Sequence, residues 1–238
     1  MAAGRKKASK KKKTSAANTR KTGKANSLPG KLWHDWLKYV LSSLGPEYFL
    51  IVYLCQALCL RVSQVAQLQS SDFDWKKKEV WIKQFKRHEG FHKPILHSVY
   101  KQLARYKQQG IKGGSSNIFT WPSRGFLFPA KRSDSTWAHV AKDSICHAIA
   151  RVRQQFVLQH KHKSPSLEDR SIRSHSGRRR CITTMAENSV PDSVGMAYAG
   201  IKSVRVYKGY VDVHCNKLRS QLKDFDRKSS FGKASKTK

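Results

Sequence analysis

Five side chains, scattered along the chain, have the types needed to act together on a phosphate ester: Arg61, Lys86, His175, Arg178 and Tyr210. A guanidinium stays charged at any accessible pH, and its planar fork of donors matches phosphate oxygens. A phenol, with an ordinary pKa of about 10, becomes a nucleophile only in a cationic field or beside a base. An imidazole moves protons near neutrality, and a lysine can give a proton to a departing oxygen. Arg61 stands in Leu60-Arg61-Val62-Ser63-Gln64-Val65-Ala66-Gln67-Leu68, followed by Asp72-Phe73-Asp74. Lys86 falls eight residues before Pro94, His175-Ser176-Gly177-Arg178 is a His-x-x-Arg pattern, and Gly200 to Tyr210 forms the last fragment. Each residue also has a plainer reading. Arg61 could pair with Asp72 or Asp74, Arg178 to Arg180 could be a solvated basic run, and His175 could neighbour a helix cap. Lys86 has a rival in Lys83, and Tyr210 has one in Tyr207, a helical turn earlier.

The elements that must position these groups follow from hydrophobic periodicity. Leu32, Trp33, Trp36, Leu37, Val40, Leu41 and Leu44 predict a helix over 31–44, stopped by Gly45-Pro46. Residues 47–69 predict two more helices that meet near Leu60-Arg61. Val80, Trp81, Ile82 and Phe85 predict a strand, 86–90 a polar turn carrying Lys86, and 91–96 a returning strand. Residues 98–109 predict a helix and 110–124 a Gly/Ser-rich loop. Trp137, Val140, Ala141, Ile145, Ala148, Ile149, Val152 and Phe156 predict one long helix over 135–160. Helices are expected over 174–188, 191–199 and 203–225, with Pro191 suited to a helix start. The fold class expected is mainly α with a small antiparallel β-sheet, an α+β arrangement.

Composition narrows the partners. The 238 residues include 48 Lys plus Arg against 15 Asp plus Glu, a formal net charge of +33. Such a charge repels itself and calls for a polyanion; neutralising phosphates and releasing counterions makes nucleic acid the leading choice. The most apolar stretch, 48–60, is too short to span a bilayer and reads as a buried helix. Residues 1–30 hold ten Lys or Arg and no acid, which predicts a disordered basic arm; 226–238 reads as a basic C-terminal tail. The patch Lys10 to Lys13 suits nuclear import or nucleic-acid contact. No signal-peptide pattern opens the chain. Five cysteines without a CxxC pair fit a reducing, intracellular setting, and Cys55 and Cys59 are expected to be buried. The expected localisation is intracellular, with the nucleus favoured over a bacterial cytoplasm. His88 with His92 and His160 with His162 lack matching Cys or acidic ligands, so no metal site is expected.

Over 32–223 the sequence resembles the catalytic domain of the tyrosine recombinases, the phage integrase kind. That family carries an Arg in a Leu-Arg-hydrophobic-Ser/Thr segment, a Lys in a β-hairpin turn, His-x-x-Arg, a His or Trp, and a Tyr. Arg61, Lys86, His175, Arg178 and Tyr210 match in type and order, and the run from Leu127-Phe128-Pro129 into a helix is also similar. The resemblance implies that Tyr210 attacks phosphorus and holds DNA as a 3′-phosphotyrosine. It implies that Arg61 and Arg178 grip the non-bridging oxygens, Lys86 protonates the 5′-oxygen, and His175 assists proton transfer. No cofactor, metal or small-molecule substrate is implied. The partners are double-stranded DNA and further copies of the chain assembled on it, with no membrane. Two departures stand out. Ile201 occupies the His/Trp position and cannot donate a hydrogen bond, and Gln64 replaces the usual Glu. The family's DNA-clamping domain is not expected ahead of the catalytic domain, assigned to 31–225. Alternatives are a degenerate recombinase fold that binds DNA without cutting it, and a type IB topoisomerase-like enzyme. Lys202, beside Ile201, is a candidate for the missing donor.

Overall fold

The run from Phe49 to Leu58 has almost no polar face, and it forms the centre of the fold. The computed structural model describes residues 27–83, 89–114, 117–131, 135, 138–162, 167 and 172–211. Helix α1 spans Gly30–Leu44 and α2 Pro46–Ala57; Gly45 between them has φ of 89°, a conformation that favours glycine. Helix α2 buries Phe49, Leu50, Ile51, Val52, Leu54 and Cys55, as a helix surrounded by neighbours must. Helix α1 lays Trp33, Trp36, Leu37 and Val40 on one side of this core, after Leu28, which is buried ahead of the helix. A short α3, Val62–Ala66, follows the predicted break at Leu60-Arg61.

A three-stranded antiparallel sheet comes next. Strands β1 (Phe73–Asp74), β2 (Glu79–Ile82) and β3 (Phe91–Pro94) pair in that order, with Val80 opposite Lys93 and Ile82 opposite Phe91. Strands β2 and β3 were legible; β1 was not, since two residues carry no alternation to read. Of the predicted turn over 86–90, residues 86–88, with Lys86, lie outside the described residues. Helix α4 is His97–Gln109. The stretch expected as a loop contains two short strands, β4 (Ile111–Lys112) and β5 (Ile118–Phe119), paired antiparallel.

The long helix expected over 135–160 is shorter. Helix α5 spans Lys142–His160, burying Ile145, Ala148, Ile149, Val152 and Phe156 at helical spacing. Ahead of it, 138–140 run as extended chain: Ala130 N donates to Ala138 O and Val140 N to Phe128 O. Backbone pairing with the Leu-Phe-Pro segment takes these residues out of the helix. Helix α6 is Ser176–Glu187, α7 Asp192–Ala199 and α8 Val204–Lys208. Pro191 caps α7 at its start. Helix α8 ends at Gly209 within the expected 203–225 helix, leaving Tyr210 on the turn beyond; 212–238 lie outside the described residues. Helices α2 and α6 approach to backbone contact at Gly177, where an added Cβ would lie 3.1 Å from both Cys55 Cβ and Gln56 N.

Candidate active site

Arg61 is the residue before α3, between buried Leu60 and Val62, and its position is fixed by its own backbone. Its N–H donates to Gln64 Oε1 at 3.0 Å. Gln64 therefore does the capping a Glu would do at the start of a helix. The Arg61 side chain is half-buried and lines a small pocket with Gln64, Lys83, Phe91 and Gly200. It does not pair with Asp72, which lies 4.0 Å from Lys83 Nζ.

His175 is the N-cap residue of α6, and Arg178 follows in the first turn. His175 Nδ1 is buried and has no hydrogen-bond partner among the described residues. Burial, and then the charges of Arg178, Arg61, Lys142 and Arg179, hold its pKa below the usual 6.5, so the ring is neutral at pH 7 and free to accept a proton. Arg178 is 1% exposed. Its Nη1 donates to Cys59 O at 2.5 Å and its Nη2 to Ala199 O at 2.7 Å. It thus ties the end of α2 to the end of α7 across the start of α6. The basic run Arg178-Arg179-Arg180 is not a solvated face: Arg179 is also buried, and Arg180 pairs with Glu187 at 3.2 Å.

Tyr210 lies beyond α8, partly exposed, with two guanidinium carbons over its ring. Arg178 Cζ is 5.5 Å and Arg179 Cζ 5.2 Å from the ring centroid. Its backbone is held from α6: Thr183 Oγ1 donates to Tyr210 O at 3.3 Å, and Arg179 Nη1 to Gly209 O at 2.9 Å. Arg61 also senses the Tyr210 charge; burial and then Arg178 lower the Arg61 pKa, while Tyr210 and Cys59 raise it. The rival Tyr207 is fully buried, and its hydroxyl has no hydrogen-bond partner among the described residues. Arg61, His175, Arg178 and Tyr210 therefore come together, and Lys86 is the one of the five outside the described residues. Among those residues no carboxylate pairs with Arg61 or Arg178.

Ile201 is 7% exposed and packs with Cys59, Ile182, Ala199 and Tyr207. It lines a cleft of about 540 Å³ between the hairpin residues Glu89 to Phe91 and the end of α7 with the α7–α8 connection, where Lys202 stands exposed. Lys93 was missed by the motif reading. It is 1% exposed, with Nζ donating to Tyr198 O and lying 3.7 Å from the Tyr198 ring centroid. The signal was the alternation of β3: Lys93 opposes the fully buried Val80, so it must face inward. Burial draws its pKa down to about 8, aided by Arg178 and opposed by Cys59 and Cys181. Among the described residues there is no group of three or more His, Cys, Asp or Glu placed to hold a metal ion, and no helix is long and apolar enough to cross a membrane.

This arrangement of helices around a small sheet is the tyrosine recombinase catalytic fold. The XerA recombinase structure superposes with a TM-score of 0.61 at 15% identity, over 84% of this chain and 64% of that one. The Tn1549 transposon integrase in complex with a circular intermediate DNA gives 0.55 at 12%, over 84% and 66%. A lambda integrase dimer bound to a COC′ core site gives 0.57 at 16%, over 79% and 59%. The phage integrase family profile matches residues 36–217, and the chain belongs to that family. No curated protein matched the sequence. The chain spans about two thirds of the length of the solved recombinases it resembles.

Proposed function

We propose that this chain cuts and rejoins double-stranded DNA at specific sites, with Tyr210 as nucleophile, in the integration or excision of a mobile element. The observation that carries the reading is the gathering of Arg61, His175 and Arg178 near one partly exposed phenol, with no carboxylate among the described residues to neutralise the two arginines. Such a field stabilises the negative charge that builds on the phosphate oxygens in the transition state. Tyr210 Oη attacks phosphorus while the 5′-oxygen departs, leaving a 3′-phosphotyrosine. Neutral His175 takes the phenol proton. Lys86 supplies the leaving-group proton; Lys83, which lines the Arg61 pocket, is the alternative donor. The phosphodiester energy is kept in the covalent link, so a 5′-hydroxyl from another strand can reverse the step. Further copies of the chain assemble on the DNA, and the basic arm adds phosphate contacts or directs the chain to a nucleus.

A second reading, DNA binding without cleavage, is favoured by buried, apolar Ile201 at the position where the family has a hydrogen-bond donor. A nicked suicide substrate separates the two. Wild type is expected to trap a covalent adduct, Tyr210→Phe to trap none, and Tyr207→Phe to trap it as wild type does. Tight, salt-sensitive binding with no adduct from any form supports the second reading. An adduct that survives Tyr210→Phe refutes the nucleophile assignment. Relaxation of supercoils without sequence preference indicates topoisomerase-like work instead.

A further inference from the structure

One reactive cluster has no part in the proposed cleavage. Cys59 follows α2 with φ of 51° and is completely buried. Cys181 lies on α6 and is partly exposed. The two helices touch where Gly177 meets Cys55. Four residues further along each segment, Cys59 and Cys181 share one small buried cluster with Ile182, Ala199, Ile201 and Tyr207, and each thiol shifts the other's pKa. Cys59 Sγ also lies 3.9 Å from Arg178 O. Around this pair stand Lys93 from β3, Arg178 from α6 and Arg61 from the start of α3. Lys93 and Arg178 are each 1% exposed, and among the described residues neither pairs with a carboxylate. Uncompensated buried cations are costly, and the ionisable groups facing Lys93 that can turn negative are these two thiols.

The chemistry of the pair follows from that field. Burial alone would raise the Cys59 thiol; the Cys181 thiol and the charges of Arg178, Lys93 and Arg61 outweigh it and bring the pKa down to about 7. Cys181, through Cys59 and its own burial, is pushed up. One thiolate is thus held beside one thiol, the arrangement of an oxidation-prone dithiol.

We propose that Cys59 and Cys181 are a redox modification site that closes to a reversible disulfide on exposure to hydrogen peroxide, joining the end of α2 to α6. The thiolate attacks the O–O bond, taking one oxygen as sulfenic acid; the other leaves and, with a proton, becomes water. The second thiol displaces the sulfenic oxygen as a second water, forming the S–S bond. Two thiols are oxidised and one peroxide is reduced to two waters. Peroxide is small enough to enter from the partly exposed Cys181 side. Closure removes the negative charge beside Lys93 and Arg178, and it pulls on Cys59, whose carbonyl anchors Arg178. Resting on the proposed function, the oxidised chain therefore cleaves DNA several-fold more slowly, and a thiol reductant restores the rate.

The test uses the full chain. Reduced protein is exposed to a few equivalents of hydrogen peroxide, blocked with iodoacetamide, and mapped by mass spectrometry without reduction. A peptide pair joined through Cys59 and Cys181, released by dithiothreitol and still formed by Cys146→Ser, is the expected result. Links through other cysteines, or irreversible sulfinic acid without a link, overturn the proposal. The bond is read by mass, so it stands or falls whether or not the chain cuts DNA. A linked chain that never traps DNA through Tyr210 upholds the disulfide and sinks the functional reading. A linked chain that cleaves at the full reduced rate removes the effect on cleavage.

Discussion

Replacing Lys93 by Met is predicted to stabilise the protein at neutral pH, against the usual sign for a core substitution. Met keeps the unbranched stem and drops the ammonium. Lys93 titrates near its ordinary 10.5 in the unfolded chain and at about 8 in the folded one. Below pH 8 it is charged in both states, and the folded state carries the whole cost, about 3 kcal/mol at about 1.4 kcal/mol per pH unit. Between pH 8 and 10.5 the unfolded chain holds a proton the folded chain has released, so stability rises with pH; above 10.5 the cost has gone. Allowing for the lost bond to Tyr198 O, roughly 1 kcal/mol, Lys93→Met gains about 2 kcal/mol at pH 7. Cys59, lowered to about 7, adds a rise complete by about pH 9, whereas Cys55 and Cys181, both pushed up, make stability fall as pH passes 9. The Lys93 contribution is therefore read from the difference between the wild-type and Lys93→Met curves. Urea unfolding followed by tryptophan fluorescence from pH 6 to 10.5 measures both curves. A variant less stable than wild type at pH 7, or a gap between the two curves that does not shrink from pH 8 to 10.5, refutes the account of a buried ammonium.

Two further predictions rest on close packing and on charge. Gly195→Ala places a Cβ 2.7 Å from Tyr207 Cζ and nearer still to its hydroxyl, so it should cost about 1–3 kcal/mol and lower Tm by several degrees in calorimetry; an unchanged Tm would show that Tyr207 is not wedged against α7. DNA affinity should fall steeply with salt, and Arg61→Ala should reduce the slope of log K against log salt by about 0.9 if the guanidinium neutralises one phosphate; an unchanged slope removes Arg61 from the phosphate contacts.

Much of the fold was legible because its helices carry strong periodicity, as the buried faces of α1 and α5 show. The start of α5 was misplaced because Trp137, Val140 and Ala141 fit the helical pattern, while the pairing of 138–140 with 128–130 is a long-range fact that no local pattern encodes. Helix α8 ends at Lys208, with Gly209 as its C-cap, inside the single helix expected over 203–225. At the candidate site, type and order singled out Arg61, His175, Arg178 and Tyr210, which lie near one another, but not their environments. A run of three arginines looks solvated from sequence, and its burial follows from the backbone contact of α2 and α6 at Gly177. The alternation of β3 did contain Lys93, hidden because lysine is seldom assigned an inward position.

The guanidinium of Arg178 is occupied before any ligand arrives, since the carbonyls of Cys59 and Ala199 hold its two ends. Those oxygens act as place-holders. They freeze the side chain in one rotamer at the folding stage, so an incoming anion need not spend its own interaction on ordering a long flexible arm. An anion that takes over either end also frees a carbonyl at a helix terminus. Under the proposed function, a phosphate at Arg178 would loosen the last turn of α7, next to the segment that carries Tyr210.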